Sequence, residues 1–298
     1  MKKLLSIDLN FNNVPRTIGT YLMETEAGLV LFESGPQSCT QTLKTQLGTL
    51  GYQLSDIKHV FITHIHLDHS AGAWELANNG AMIYAHEKGI THLHDPEKLI
   101  RSATRIYKDQ MEALWGTVKG IPHERLRPLT DGDEIKLGES VVTAIETLGH
   151  AGHHHIYKIE DSIIAGDIAG VRLFETAGVV PPAPPPDLLI EPWQESIKKL
   201  KSLAPAKLCL THFGTIEGNA AITKHLDDMS RTLDTLGAWM HETFPLAEAG
   251  RDKALAELTA LLRGMIGNEA HIAAYETINP PEMTLMGVEY YYNKHIAR

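Results

Sequence analysis

Six consecutive residues, His64-Ile65-His66-Leu67-Asp68-His69, crowd four metal-competent side chains into one short stretch. Taken as extended chain, side chains two apart project to the same side, so His64, His66 and Asp68 converge on one point. Imidazole and carboxylate donors without thiolates suit zinc, and manganese or iron(II) fit the same set. His69 must point elsewhere than its neighbour Asp68, and a second ion beside the first would give it something to bind.

Three more candidates follow short apolar runs. His150 stands in Leu148-Gly149-His150-Ala151-Gly152 after a strand expected over 141–147. Asp167 stands in Ala165-Gly166-Asp167 after Ile163-Ile164, and His212 follows Leu208-Cys209-Leu210. Loops at strand ends are where a rigid sheet can aim side chains at a common site.

The elements that must carry them read as strands at 20–25, 29–32 and 59–63, the last a continuous apolar run suited to burial on both faces. A polar amphipathic segment covers 40–50, a helix 70–77 and a strand 81–85. Strands alternating with helices indicate an α/β layer architecture. A helical insertion over about 87–121 shows Leu99, Ile100, Ala103, Ile106, Tyr107, Met111, Leu114 and Val118 near helical spacing. Packing on the core is the simpler reading of it, and a lid over the site is the alternative. Strand character returns at 135–137, 141–147, 156–159 and 162–165, with a turn at Gly132-Asp133. The run Pro181-Pro182-Ala183-Pro184-Pro185-Pro186 must be extended and stiff, a rigid connector. A helix over 193–203 leads to a last strand at 207–211, after which the pattern becomes all-helical, with Ile222, Leu226, Met229, Leu233, Leu236 and Met240 in register. The expected organisation is a catalytic domain over 1–218 and a C-terminal helical extension over 219–298.

Composition narrows the function. The chain has 298 residues, 43% of them hydrophobic, enough for a full core. It carries 27 basic and 37 acidic residues, a net charge of −10, with no Lys/Arg-rich run to track a phosphate backbone, which argues against a nucleic-acid partner. Cys39 and Cys209 form no CxxC pair, so neither a disulfide framework nor a thiolate zinc knuckle is indicated, and a cytoplasmic location is expected. The opening Met1-Lys2-Lys3-Leu4-Leu5 resembles the start of a signal peptide, but Asp8, Asn10, Asn12 and Asn13 end the apolar run. No stretch approaches the roughly 20 apolar residues of a membrane span.

The patterns His64-x-His66-x-Asp68-His69, Gly149-His150, Gly166-Asp167 and Thr211-His212 resemble, in order, the metal motifs of the metallo-β-lactamase superfamily. Glu33-Ser34-Gly35-Pro36, Ala151-Gly152-His153-His154 and Pro184-Pro185-Pro186-Asp187 are similar to a bacterial branch of metallo-hydrolases in it. The resemblance implies an α/β fold, a four-layer αββα sandwich with the metals at one edge of two sheets. It implies that His64, His66 and His150 bind a first ion, that Asp68, His69 and His212 bind a second, and that Asp167 bridges them. One departure is Glu33, where the family usually has an Asp that supports the site without binding metal.

The chemistry expected is hydrolysis of a small-molecule ester, lactone, thioester or amide, with two divalent ions, zinc foremost, sharing a hydroxide nucleophile. Asp68 takes the catalytic role, orienting the hydroxide and shuttling its proton. A glyoxalase II-like thioesterase is a close rival, although the long insertion differs from that layout. A phosphodiesterase or nuclease of the same fold is the other alternative, and the acidic charge opposes it. A diiron flavoprotein reading meets His66 where a Glu is usual, and no flavin-binding domain is visible. His153, His154 and His155 extend the His150 turn and could orient a ligand or contact substrate. The remaining histidines, His59, His86, His92, His94, His123, His225, His241, His271 and His295, match no motif and read as surface or core residues. Met283, Met286 and Tyr290-Tyr291-Tyr292 suit ordinary packing first, and a pocket wall or a homodimer contact second.

Overall fold

The computed structural model describes residues 3–245 and 250–297; Met1 and Lys2 of the signal-like opening lie outside them. The strands belong to two six-stranded sheets. By contact density the chain forms two compact units, Met1–Glu146 with His153–Gly166, and Thr147–Gly152 with Asp167–Arg298.

In the first unit one sheet runs in sequence order through β1 (Leu4–Asp8), β2 (Gly19–Thr25), β3 (Gly28–Phe32), β4 (Ile57–Phe61), β5 (Met82–His86) and β6 (Leu126–Leu129). It is mixed: β1 to β3 pair antiparallel, and β3 to β6 pair parallel. The helix Thr40–Thr49 connects two of these parallel strands, as the 40–50 segment suggested. Facing this sheet is an antiparallel meander of β7 (Glu134–Leu137), β8 (Ser140–Glu146), β9 (His155–Ile159) and β10 (Ser162–Gly166). The two layers meet through aromatic side chains. Phe61 stacks on Phe32 at 5.4 Å and on Tyr84 at 4.4 Å, and Tyr157 of β9 meets it edge-on at 5.2 Å. Each such ring removes on the order of 150–250 Å² from water, so this cluster dominates the local core. The fully buried Tyr157 hydroxyl donates to Ile62 O at 2.8 Å, fastening β9 to the loop that leaves β4.

Several expectations are corrected here. The apolar run at 59–63 leaves the ladder after Phe61, because Thr63 N donates to the Glu33 carboxylate at 3.2 Å instead of to a strand. The helix expected over 70–77 is two short pieces, Leu67–Ser70 and Ala73–Asn78. Gly72 N donates outward to Gly35 O at 2.9 Å, which takes the chain off the helical path between them. The insertion comprises the helices Glu87–His94, Glu97–Tyr107 and Met111–Trp115. In Glu97–Tyr107 the apolar stripe is only partly covered, with Ala103 as its buried residue.

The second unit is mainly helical. It holds one hairpin, β11 (Lys207–Leu210) antiparallel to β12 (Gly214–Glu217). That second strand corrects the all-helical reading beyond His212; four residues returning from a Gly turn leave too short an apolar pattern to see. The helix Ile190–Ser202 packs on Asn219–Thr243, whose Leu226, Met229, Leu233, Leu236 and Met240 are fully buried. Helices Arg251–Ile266, Ile272–Ile278 and Pro281–Tyr291 follow. Met283 and Tyr291 are buried, with the Tyr291 hydroxyl donating to Glu191 Oε2 at 2.7 Å, while Tyr290 is exposed. Among the described residues, no helix is long and apolar enough to cross a membrane.

Candidate metal centre

The first unit gathers His64, His66, Asp68 and His69. The chain is extended through His66, then turns into the helix Leu67–Ser70, so the alternation expected to bring Asp68 beside His64 and His66 ends one residue early. His64 Nε2 and His66 Nδ1 face each other at 2.9 Å, and the His64 and His69 rings lie 4.0 Å apart. Asp68 and His69 converge rather than diverge: His69 Nε2 is 3.5 Å from Asp68 Oδ2. On a helical turn these long side chains can fold back toward one another, which an extended chain forbids.

Glu33, fully buried at φ 68, organises this set. Its Oε1 lies 3.0 Å from His69 Nδ1 and accepts from the Thr63 hydroxyl, while Oε2 accepts from Thr63 N. The Thr63 hydroxyl has one proton and gives it to Glu33, so its 3.1 Å contact with His64 Nδ1 must be received from the imidazole. Both His64 and His69 therefore carry their proton on Nδ1, which leaves Nε2 unprotonated. This is the outer support that metal-binding histidines require. Glu33 thus fills the supporting place that the resemblance gives to an Asp.

His154 and His153, of uncertain role in the sequence, also come near. The buried His154 ring is 5.0 Å from His64, and His153 is 5.9 Å from His66. Gly166 has φ 52, and a Cβ there would lie 2.6 Å from both His154 Nε2 and Thr63 Oγ1, so the close approach needs glycine. His155 instead stacks on His86 at 4.4 Å. His86 sits 2.8 Å from Glu146 Oε2, yet burial lowers its pKa.

The second unit gathers His150, Asp167 and His212. His150 Nδ1 donates to Pro182 O at 2.9 Å, so its Nε2 is unprotonated as well, and the stiff proline run supplies the carbonyl that sets the tautomer. Asp167 directs Oδ2 to His150 Nε2 at 3.4 Å and Oδ1 to His212 Nε2 at 3.3 Å. These contacts exceed the 2.7–2.9 Å of a charge-assisted hydrogen bond. Two ligands at about 2.05 Å from one tetrahedral ion lie about 3.3 Å apart, so the spacing is that of co-ligands.

Trp193 and His225 hold the Asp167 loop from behind. Trp193 Nε1 donates to Ile168 O at 2.8 Å, and His225 Nε2 donates to Ala169 O at 2.8 Å. Burial drives the His225 pKa down to about 4, so it stays neutral. Nothing in the sequence separates His225 from the other unmatched histidines; only its burial and partner do.

The ligand chemistry, the sandwich of the first unit and the order of the motifs agree with what a family sequence model finds: it matches residues 15–212 as the metallo-beta-lactamase superfamily. The chain belongs to the metallo-β-lactamase superfamily. It is a metal-dependent hydrolase of that superfamily. A metallo-beta-lactamase fold-containing protein of Sulfurisphaera tokodaii is 27% identical over 180 residues, 59% of this chain and 67% of that protein. An atrochrysone carboxyl ACP thioesterase of Aspergillus fumigatus is 21% identical over 84% of this chain, which spans only 51% of that protein. Among solved structures, a metallo-beta-lactamase family protein of Thermus thermophilus superposes with TM-score 0.67 at 20% identity, covering 98% of this chain and 93% of the other.

Proposed function

We propose that His64, His66, Asp68, His69, His150, Asp167 and His212 serve one dinuclear centre that hydrolyses an ester, lactone, thioester or amide of a small molecule. The observation that carries this reading is Asp167, with one carboxylate oxygen set toward each of two histidines at co-ligand distance. A carboxylate so placed suits two ions better than one. The donor set contains no thiolate and fits zinc. His64, His66 and His150 would hold one ion, Asp68, His69 and His212 the other, and Asp167 both.

When bound, two divalent ions supply an activated water and a Lewis acid for the scissile carbonyl. The chain's own residues do the rest. Glu33 and Thr63 fix the His64 and His69 tautomers, and Pro182 fixes that of His150. Asp68 Oδ2 is close to His69 yet partly exposed, so it can orient the nucleophilic water and carry its proton to the leaving group. Two carboxylates against two divalent ions leave net positive charge, which favours polar or anionic acyl compounds. The chain's net charge of −10 disfavours a phosphodiester polymer. A thioester is the second reading, supported by the thioesterase among the relatives.

The test is metal analysis of the purified protein, joined to hydrolysis of aryl esters, lactones, thioesters, a β-lactam and phosphodiesters by wild type and Asp68→Ala. Two equivalents of metal, with acyl hydrolysis lost in the variant, is the expected result. Zinc-loaded protein that cleaves only phosphodiesters, or a single equivalent of metal, would sink the reading.

A further inference from the structure

Exposed cations on the helices of the second unit stand beside acids. Lys224 and Arg231 share Asp228 at 2.6 and 2.7 Å, Lys198 lies 2.7 Å from Glu195, and Lys253 lies 3.6 Å from Glu257, each at i,i+3 or i,i+4 spacing. Such pairs steady an exposed helix, and like charges at the same spacing unsettle it.

The insertion helix Glu97–Tyr107 is built the other way. From Lys98 to Lys108 the chain places four cations, with Arg101 and Arg105 between, and no acid. All four are exposed, and among the described residues none of them takes part in an ion pair or a side-chain hydrogen bond. Asp95, just before the helix, is engaged elsewhere, its Oδ1 accepting from Glu97 N at 3.2 Å. At about 100° per residue Lys98, Arg101 and Arg105 fall within about 60° of one another, and at about 1.5 Å per residue they stand about 4.5 and 6 Å apart along the axis. Lys108, at φ 50, closes the row where the helix ends. On the opposite side Ala103 is buried and the Tyr107 ring meets Trp115 edge-on at 5.0 Å, so the cationic face is the one turned to solvent.

The row is held on a fixed support. Before it, the helix Glu87–His94 lies so close to the metal motif that a Cβ at Gly89 would stand 2.7 Å from Ile65 Cγ2. After it, Met111–Trp115 is fastened to the loop beyond β3, with Ser38 Oγ donating to Leu114 O at 2.6 Å and Thr117 N to Gln37 Oε1 at 3.0 Å.

We propose that Lys98, Arg101, Arg105 and Lys108 form a docking face for an acidic helix of a partner protein. A site for a small anion gathers its cations around one point, whereas these stand in a row. A lipid surface takes up apolar side chains beside the cations, and here the apolar side chains face the other way. An extended acidic strand repeats its same-side carboxylates every ~6.6–6.8 Å, out of step with this row, while a helix bearing Asp or Glu at i, i+3 and i+7 matches each step. The two guanidinium groups offer planar forks suited to carboxylates. The remainder of the chain is acidic, with the whole at −10, which keeps such a partner off its other faces. This inference stands apart from the hydrolase reading, since it concerns binding alone.

The probe is a fluorescein-labelled alanine-based helical peptide with glutamates at alternating three- and four-residue spacing. Its control is a peptide of the same composition with the glutamates scattered around the helix. Fluorescence anisotropy with the intact chain at low salt is expected to show the patterned peptide bound about tenfold more tightly than the scattered one, and added salt should release it. The double variant Arg101→Glu/Arg105→Glu should bind at least about tenfold more weakly at unchanged metal content and melting temperature, and Arg101→Gln/Arg105→Gln, which adds no repulsion, should lie between it and wild type. Equal affinity for the two peptides, or equal affinity of wild type and both variants for the patterned one, overturns the proposal. So does wild type that sediments with phosphatidylglycerol vesicles and ignores the peptide, which would make the face a lipid-binding one.

Discussion

Replacing Glu33 by Gln tests whether a buried carboxylate sets the ligand tautomers. Glu33 accepts from three donors, the Thr63 hydroxyl, Thr63 N and His69 Nδ1. Gln can retain one acceptor oxygen at the Oε1 place, but its amide NH₂ then faces the Thr63 N–H, donor against donor. Leaving that buried N–H unsatisfied costs about 1–3 kcal/mol of stability. His69 also loses its anionic partner, and the Thr63 relay to His64 loses its acceptor of full charge, so two imidazoles become weaker ligands. Loss of such an outer partner lowers metal affinity by about 10–100-fold. Competition against a chromophoric chelator measures the affinity, and circular dichroism with a thermal melt shows that the variant is folded. A folded Glu33→Gln protein that binds zinc as tightly as wild type would refute the assignment of Glu33 as the residue that orients His64 and His69.

Acid should weaken the apo fold through His225. Its folded pKa of about 4 lies below the ordinary value of 6.5, so the unfolded chain takes up the proton first as pH falls. The stabilisation is complete above about pH 6.5 and is lost toward pH 4, up to ~3 kcal/mol. The urea midpoint should therefore drop further between pH 7.5 and 4.5 in wild type than in His225→Gln, which keeps a donor for Ala169 O without a titrating ring; identical pH dependence in the two proteins would remove His225 as the cause. Gly149→Ala should cost more than about 3 kcal/mol. Gly149 has φ 131, and a Cβ there would lie 2.3 Å from Trp193 Cα and 2.4 Å from its N. A melting temperature within a degree of wild type would show that the Trp193 helix can yield.

The amino-acid sequence by itself determined which chemistry the chain can support. Side-chain type decides which atoms can bind a divalent ion, and position after an apolar run decides which of them a sheet edge can present, so residue type and position alone nominate the seven candidate ligands. So were most strands and helices, because their periodicity is local. What escaped lay in pairs distant along the chain. Glu33 acts on His69, 36 residues away, and His225 on Ala169, 56 residues away. Likewise Pro182 O sets His150 from 32 residues off. No periodic pattern records such contacts, since they exist only once the backbone has closed. The turn at Leu67–Ser70 escaped for a related reason: its carbonyl at His69 is taken by Ser34 of another strand's loop, and that tertiary bond, not local propensity, brings Asp68 and His69 together.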